Sequence, residues 1–310
     1  MNENRPMKKR SVLSVILSMV IFGTIGPVRK EIILPSSVVA FFRAAGGALF
    51  LLIWMAFRRI CPEKKAIREN AFLLCLSGTL LGFNWIALFE SYRYTTVAVS
   101  TLCYYMAPVL IILVSPLILK ERLTLRKFVC VLIAAIGMTL VTGVVSGSGG
   151  SLHDQEVKGI LLGLAAAAMY AAIVLCNKKM NGIGGTDRTL VQLSISAAVL
   201  FPYILLKEDI SLIASADMHS VVMMAVAAIV HTGIAYTLYF SAVSELTGQS
   251  AAILSYIDPI VAVVLSAFVL KEPMTRYGFI GSGMVLLAMI AGETGNTFIR
   301  KTDRQRGIRS

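Results

Sequence analysis

A carboxylic acid stands directly before a proline, at Asp258-Pro259, inside a long apolar run of this 310-residue chain. A charge at the centre of a membrane helix costs on the order of 2.5–3.5 kcal/mol on insertion scales, so a carboxyl there is expected to bind a ligand or carry a proton. The alternative is a neutral carboxyl hydrogen-bonded to a neighbouring helix. Pro259 lacks a backbone donor and disturbs the carbonyl one turn earlier, so a helix break and a carboxyl share one depth. That combination is the pattern of a binding or proton site within a membrane. His231, central in another apolar run, has the one side chain whose ordinary titration lies between pH 5 and 8. It could relay protons or hold an anionic group, or bridge two helices by a hydrogen bond. Asn84, with Trp85 beside it, both donates and accepts. It suits a zwitterion or an amide, and suits equally a tie between helices.

Tyrosines repeat the theme. Tyr104 and Tyr105 precede Pro108, and Tyr256 precedes Pro259. Each proposed break therefore carries a hydroxyl-bearing ring, able to pack against an apolar body while hydrogen-bonding its polar part. Tyr170, Tyr236 and Tyr239 are candidates to join them. Arg43 and Glu90 are the remaining charges inside apolar runs; an ion pair between them would make a gate, a fixed tie, or two side chains snorkelling to the interface. Histidines 153, 219 and 231 have no metal-ligand spacing, and the five cysteines show no C-x-x-C pair. Nucleotide-binding and hydrolase motifs are also missing, so neither an enzyme nor a cofactor is expected, and any energy must come from a gradient or an exchange.

The elements that must position these groups follow from composition. With 57% hydrophobic and 15% charged residues and a mean hydropathy of +0.78, the chain has too little polar surface for a soluble globule. It reads as an all-α integral membrane protein of ten transmembrane helices, at 11–28, 36–57, 71–92, 97–119, 125–143, 159–176, 189–206, 220–243, 248–270 and 275–293. A β-barrel would alternate in polarity, whereas Val109 to Leu119 is apolar on every side. The first run follows a basic segment but no small-residue cleavage site, so an uncleaved first helix is expected.

Two stretches say nearly the same thing. YYMAPVLIILVSPLILKERLT from Tyr104 and SYIDPIVAVVLSAFVLKEPMT from Ser255 align without a gap, with identities at Tyr105/Tyr256, Pro108/Pro259, Ser115/Ser266, Leu119/Leu270, Lys120/Lys271, Glu121/Glu272 and Thr124/Thr275. Ala107 stands where the second copy has Asp258, so the symmetry fails at the carboxyl. Five helices per half is an odd number, which predicts two inverted five-helix repeats, the sequence sign of a transporter. Lys and Arg concentrate in alternate loops, such as Arg58, Arg59, Lys64, Lys65 and Arg68, which predicts cytoplasmic N- and C-termini in a multi-pass protein of the cell membrane. The net charge of +12 then needs no nucleic acid to explain it. Ser146 to Ser151 reads as a flexible connector.

With its two halves, each with a mid-span proline in the fourth helix and an apolar-Lys-Glu step before a Thr-started fifth, the chain resembles the EamA family of the drug/metabolite transporter superfamily. The run ALFESYRYTTVAVSTLCYYMAP, within Ala87 to Gly143, is the strongest match. The resemblance implies a first repeat at 11–143, a connector at 144–157, a second repeat at 158–293 and a basic cytoplasmic tail at 294–310. It also implies a central cavity lined mainly by helices 1, 3, 4, 6, 8 and 9. The expected function is secondary active transport of a small organic metabolite, an amino acid or related compound, by alternating access in the direction of export, with proton coupling through Asp258 and His231. An uncoupled facilitator or exchanger, or a membrane receptor or helper subunit without flux, are the alternatives. The expected substrate-binding set is Asn84, Trp85, Tyr104, Tyr105, Tyr170, His231 and Tyr256, with Arg43 and Glu90 as gate or ion pair and Pro108 and Pro259 at the helix breaks. The expected partners are a small-molecule substrate, the lipid bilayer and protons; the sequence leaves the oligomeric state open.

Overall fold

A helix satisfies its own backbone N–H and C=O groups, which is what an apolar chain in hydrocarbon requires, and every regular element among the described residues is a helix. The computed structural model describes residues 9–118, 125–141, 154–209, 211, 213, 216–243, 246, 254–288, 290 and 291. In chain order the helices are α1 (Lys9–Gly23), α2 (Ile25–Lys30), α3 (Ser36–Phe57), the short α4 (Lys64–Glu69), α5 (Ala71–Tyr94), α6 (Val97–Tyr104), α7 (Ala107–Ile118), α8 (Leu125–Val141), α9 (Asp154–Lys179), α10 (Gly185–Lys207) and α11 (Met218–Ala228). A π-helical segment, Ile229–Ile234, then leads into α12 (Ala235–Val243). The last two helices are α13 (Ile257–Phe268) and α14 (276–288).

Seven of these segments are long and apolar enough to cross a membrane: Lys9–Lys30, Ser36–Phe57, Ala71–Tyr94, Val97–Val114, Asp154–Lys179, Gly185–Lys207 and Met218–Tyr239. Phe128–Val141 and Ile257–Phe268 are shorter apolar helices. The chain is therefore a multi-pass membrane protein. Most expected spans match to within a few residues, and 36–57 matches at both ends. The connector between Ser146 and Ser151, the Lys120-Glu121 step, residues 248–253 of the ninth expected span and the basic tail lie outside the described residues.

The prolines do not kink helix interiors. α6 ends at Tyr104, and Tyr105 and Met106 form a turn in which the Met106 N–H donates to the Cys103 carbonyl (3.1 Å). α7 starts at Ala107, so Pro108 sits in its first turn, where a missing N–H costs nothing. Tyr256 likewise is the N-cap of α13, and both Asp258 and Pro259 lie in that helix's first turn. Each break thus falls one turn ahead of the position expected from its proline. A carboxylate at a helix N-terminus is also favoured by the exposed N–H groups there.

α5 is the centre of the packing, in contact with α3, α9 and α10. Small residues and polar ties make these approaches close. Ser196 Oγ donates to the Gly78 carbonyl (2.6 Å), and Gln192 Nε2 donates to Ser77 Oγ (2.6 Å). Ser91 Oγ donates to the Gly159 carbonyl (2.7 Å). Gly78 faces Ile195, and Gly163 faces Cys103, so both G-x-x-x-G patterns serve contacts within the chain. In the π-helical segment, Thr232 Oγ1 donates to the Ala227 carbonyl five residues back (3.2 Å). π-helical turns of this kind recur at functional sites.

Candidate functional site

The helix breaks meet around a cavity of about 470 Å³. Its wall takes Met19, Phe22 and Gly23 from α1, Trp85 and Tyr92 from α5, Thr101, Tyr104, Tyr105 and Pro108 from the α6–α7 segment, Tyr170 and Asn177 from α9, and Tyr236 and Tyr239 from α12. Ser255, Tyr256, Asp258 and Ala262 close it from the turn that opens α13. Two helices outside the expected set also contribute: α3 through Arg43, and α10 through Arg188, Thr189 and Gln192.

Asp258 is the acid in this wall. Tyr105 donates its hydroxyl hydrogen to Asp258 Oδ2 (2.5 Å), and no other bond from the described residues reaches the carboxyl side chain. The contact joins the two repeated sequence stretches at their breaks. Aromatic rings surround it: Tyr104 lies edge-on to Tyr105 with centroids 5.9 Å apart, Tyr104 and Tyr170 are 5.3 Å apart, and Phe22 meets Tyr236 at 5.4 Å. The cavity can therefore take a body with an apolar or aromatic part and hold a polar group or proton at one point.

Two expected ligands stand elsewhere. Asn84 is fully buried away from the cavity wall, where its Nδ2 donates to the Ala166 carbonyl of α9 (2.6 Å); it ties α5 to α9. Its Oδ1 has no partner among the described residues. His231 is also buried outside the wall, with Nε2 2.8 Å from Thr24 Oγ1 and Nδ1 3.3 Å from the Val226 carbonyl. A neutral ring with its proton on Nδ1 satisfies both contacts, donating to Val226 and accepting from Thr24. Here it bridges α1–α2 and the π-helical segment. Depth was right for both residues, and the direction in which each side chain points was not.

The structure does not bring Arg43 and Glu90 together. Arg43 Nε donates to Thr232 Oγ1 (2.9 Å), and the guanidinium carbon lies 4.2 Å from the centroid of Trp85. Glu90 accepts from Arg93 Nη1 at 3.1 and 3.3 Å and from Ser36 Oγ at 2.7 Å. The i,i+3 spacing of Glu90 and Arg93 on one helix face was the signal for that pair. Ser36 also accepts from Arg29 Nη2 (2.8 Å), so Arg29, Ser36, Glu90 and Arg93 form one chain at the end of the helices that carries Lys30.

A second tie crosses the same end. The Glu272 carboxylate pairs with Lys30, accepts from Ser266 Oγ, and caps α6 by accepting from the Val97 N–H (2.8 Å). Its backbone is turned for this: Lys271 adopts a left-handed φ of 52°, and the Glu272 N–H donates to the Ser266 carbonyl (3.0 Å). That is the Schellman end of a helix, where glycine is the usual occupant. At the opposite end the cavity wall reaches Asn177 and Arg188, close to the helix termini at Lys179 and Gly185.

Arg188, Thr189, Gln192 and Asn177 went unrecognised from sequence. Arg188 and Gln192, four residues apart on one face of an otherwise apolar helix, were the available signal. Among the described residues no group of three or more His, Cys, Asp and Glu side chains is placed to hold a metal ion.

The model of the EamA-like transporter family matches the sequence twice, at residues 9–143 and 157–291. An uncharacterised transporter of Bacillus subtilis, YxxF, is 30% identical over 91% of this chain and 89% of its own. An uncharacterised transporter of Archaeoglobus fulgidus is 24% identical over 89% of this chain and 94% of its own. The pseudopaline exporter CntI of Pseudomonas aeruginosa is 25% identical over 53% of this chain and 57% of its own. A solved crystal structure shares the fold at a TM-score of 0.64 and 15% identity, covering 91% of this chain and 96% of that one.

Proposed function

Because the chain belongs to the EamA-like transporter family, we propose that it is a secondary active transporter that moves a small organic metabolite, an amino acid or related compound, out of the cell with proton coupling at Asp258. The observation that carries the coupling is the Tyr105–Asp258 hydrogen bond in the cavity wall: a carboxyl with one described partner, facing a cavity between two helix breaks, can exchange a proton or a cargo contact as the cavity changes sides. Export is favoured by the likeness to a relative named as an exporter.

The mechanism is alternating access between two inverted five-helix halves, ten helices in all. The two family matches and the paired breaks at Tyr105 and Tyr256 support this reading. With the termini in the cytoplasm, as the Lys and Arg bias predicts, the Arg188 end of the cavity faces inward. The Glu272 and Glu90 ties then close the outer face. Proton coupling rests on Asp258 alone, since His231 is held between helices away from the wall.

The test is flux in proteoliposomes with an imposed pH gradient, for the wild type and Asp258→Asn. Cargo movement that follows the gradient in the wild type and ignores it in the variant is the expected result. Equal response in both would remove Asp258 from the coupling, and no flux for any member of a broad metabolite panel would overturn transport of this class.

A further inference from the structure

Arg43 is 6% exposed, yet no carboxylate among the described residues lies within ion-pair distance of it. Its Nε is taken by Thr232 and its plane lies against Trp85. Neither terminal amino group has a hydrogen-bond partner among the described residues, and the side chain forms part of the cavity wall. A buried charge is costly unless it is paired. A guanidinium pinned through Nε and braced on a ring presents its remaining donors as a fixed fork, the geometry that matches a carboxylate.

Arg188 is the second guanidinium on the wall, at the end near the helix termini, and it too lacks a carboxylate partner among the described residues. Against these two cations the wall carries one acid, Asp258, already bonded to Tyr105. Asp258 can offset only one of them, so the cavity favours an anionic group whichever protonation state it adopts. The aromatic faces of Tyr104, Tyr170 and Tyr236 lie on the same wall.

We infer that the cargo carries a carboxylate that docks on Arg43, with Arg188 drawing it in and the tyrosines packing its uncharged body. This rests on the transport reading and narrows its substrate class. The role differs from a gate: Arg43 is the counter-charge that the cargo completes.

The experiment uses the purified full chain and matched acid and amide probes: phenylalanine with phenylalaninamide, leucine with leucinamide, and phenylpropionate with phenylpropionamide. Apparent affinity is read from thermal stabilisation, since a ligand of the native state raises its stability by mass action. At least one acid should stabilise the wild type with an affinity about tenfold or more above that of its amide, the scale of a charge-assisted hydrogen bond. Arg43→Gln should abolish that preference and Arg43→Lys should keep part of it. Arg188→Gln, at the cavity end, should weaken the acids several-fold with the preference intact, and it keeps the test open if Arg43→Gln fails to fold. The inference is overturned if amides bind as well as acids, if Arg43→Gln still prefers acids, or if no acid stabilises the wild type. Flux of the same probes in proteoliposomes separates the two levels: an acid that binds but never crosses sinks transport and leaves the anchor, whereas amides carried as fast as acids sink the anchor and leave transport.

Discussion

Tyr105 and Asp258 meet at 2.5 Å, hydroxyl to carboxylate, from two helical stretches that both break at a tyrosine. The repeated sequence places a tyrosine at each break, but only the second copy carries the acid, with Ala107 in the first. One copy thus supplies the donor and the other the acceptor. Asp258→Asn can still accept from Tyr105, so the helices should stay docked while flux loses its response to a pH gradient. Tyr105→Phe removes one charge-assisted bond, worth about 1.5–3 kcal/mol, and should weaken the response without abolishing it. Proteoliposome flux at several imposed gradients checks both.

His231 predicts the contrasting result. Its ring bridges Thr24 and the Val226 carbonyl and stands off the cavity wall. His231→Gln should leave the pH response of transport intact and cost about 1–2 kcal/mol of stability for the lost contacts. Loss of the pH response in this variant would return His231 to the coupling path.

Depth in the membrane was legible in the sequence and rotation about each helix axis was not. Asp258, His231 and Asn84 all sit well inside apolar runs, as hydropathy places them. Which of them faces the cavity depends on azimuth, and in helices apolar on every side that signal is faint. Tyr104, Tyr105 and Tyr256 were found because the repeat marked them. Arg188 was assigned to a loop because a charge at a span end looks like a boundary, and Arg43 was read as a gate because its stacking on Trp85 depends on how α3 packs against α5. The prolines marked the breaks to within one turn, since a proline fits the start of a helix as readily as it disrupts a helix interior.

Asn84→Leu separates a structural tie from a cargo ligand. The amide donates to Ala166 and leaves its own oxygen unpartnered among the described residues, and a polar atom buried without a partner costs about as much as the one bond gains. The substitution should shift thermal stability by no more than about 1 kcal/mol and leave the order of preferred cargoes unchanged. A reordered cargo profile would place Asn84 at the site after all.

Glu272 holds the Val97 N–H, Ser266 and Lys30 together. Glu272→Gln should loosen that end by about 1–2 kcal/mol, the difference between a charged and a neutral acceptor. Amide hydrogen exchange over residues 96–101 should accelerate about tenfold. Lys30→Met should do less, because Lys30 is about one-third exposed and solvent weakens its share. Unchanged exchange in Glu272→Gln would mean that this tie does not limit opening.

Gly23 lets α1 lie against the turn that carries Asp258. A methyl group there would stand 2.7 Å from both the Asp258 carbonyl oxygen and the Val261 Cβ. Backbone cannot swing aside as a long side chain does, so Gly23→Ala should lower stability by about 1–3 kcal/mol and reduce flux, both measurable on one preparation.

The π-helical turns at Ile229–Ile234 amount to one residue more than an α-helix of the same rise would hold. Deleting a single residue from that segment would leave every span in place by hydropathy, yet rotate all that follows in the helix by about 100°. Tyr236 and Tyr239 would turn off the wall they share with Arg43 and Asp258. The phase of this helix, and with it the face shown to the cargo, is therefore set by a residue count, and relatives that differ by one residue here should differ in what they carry.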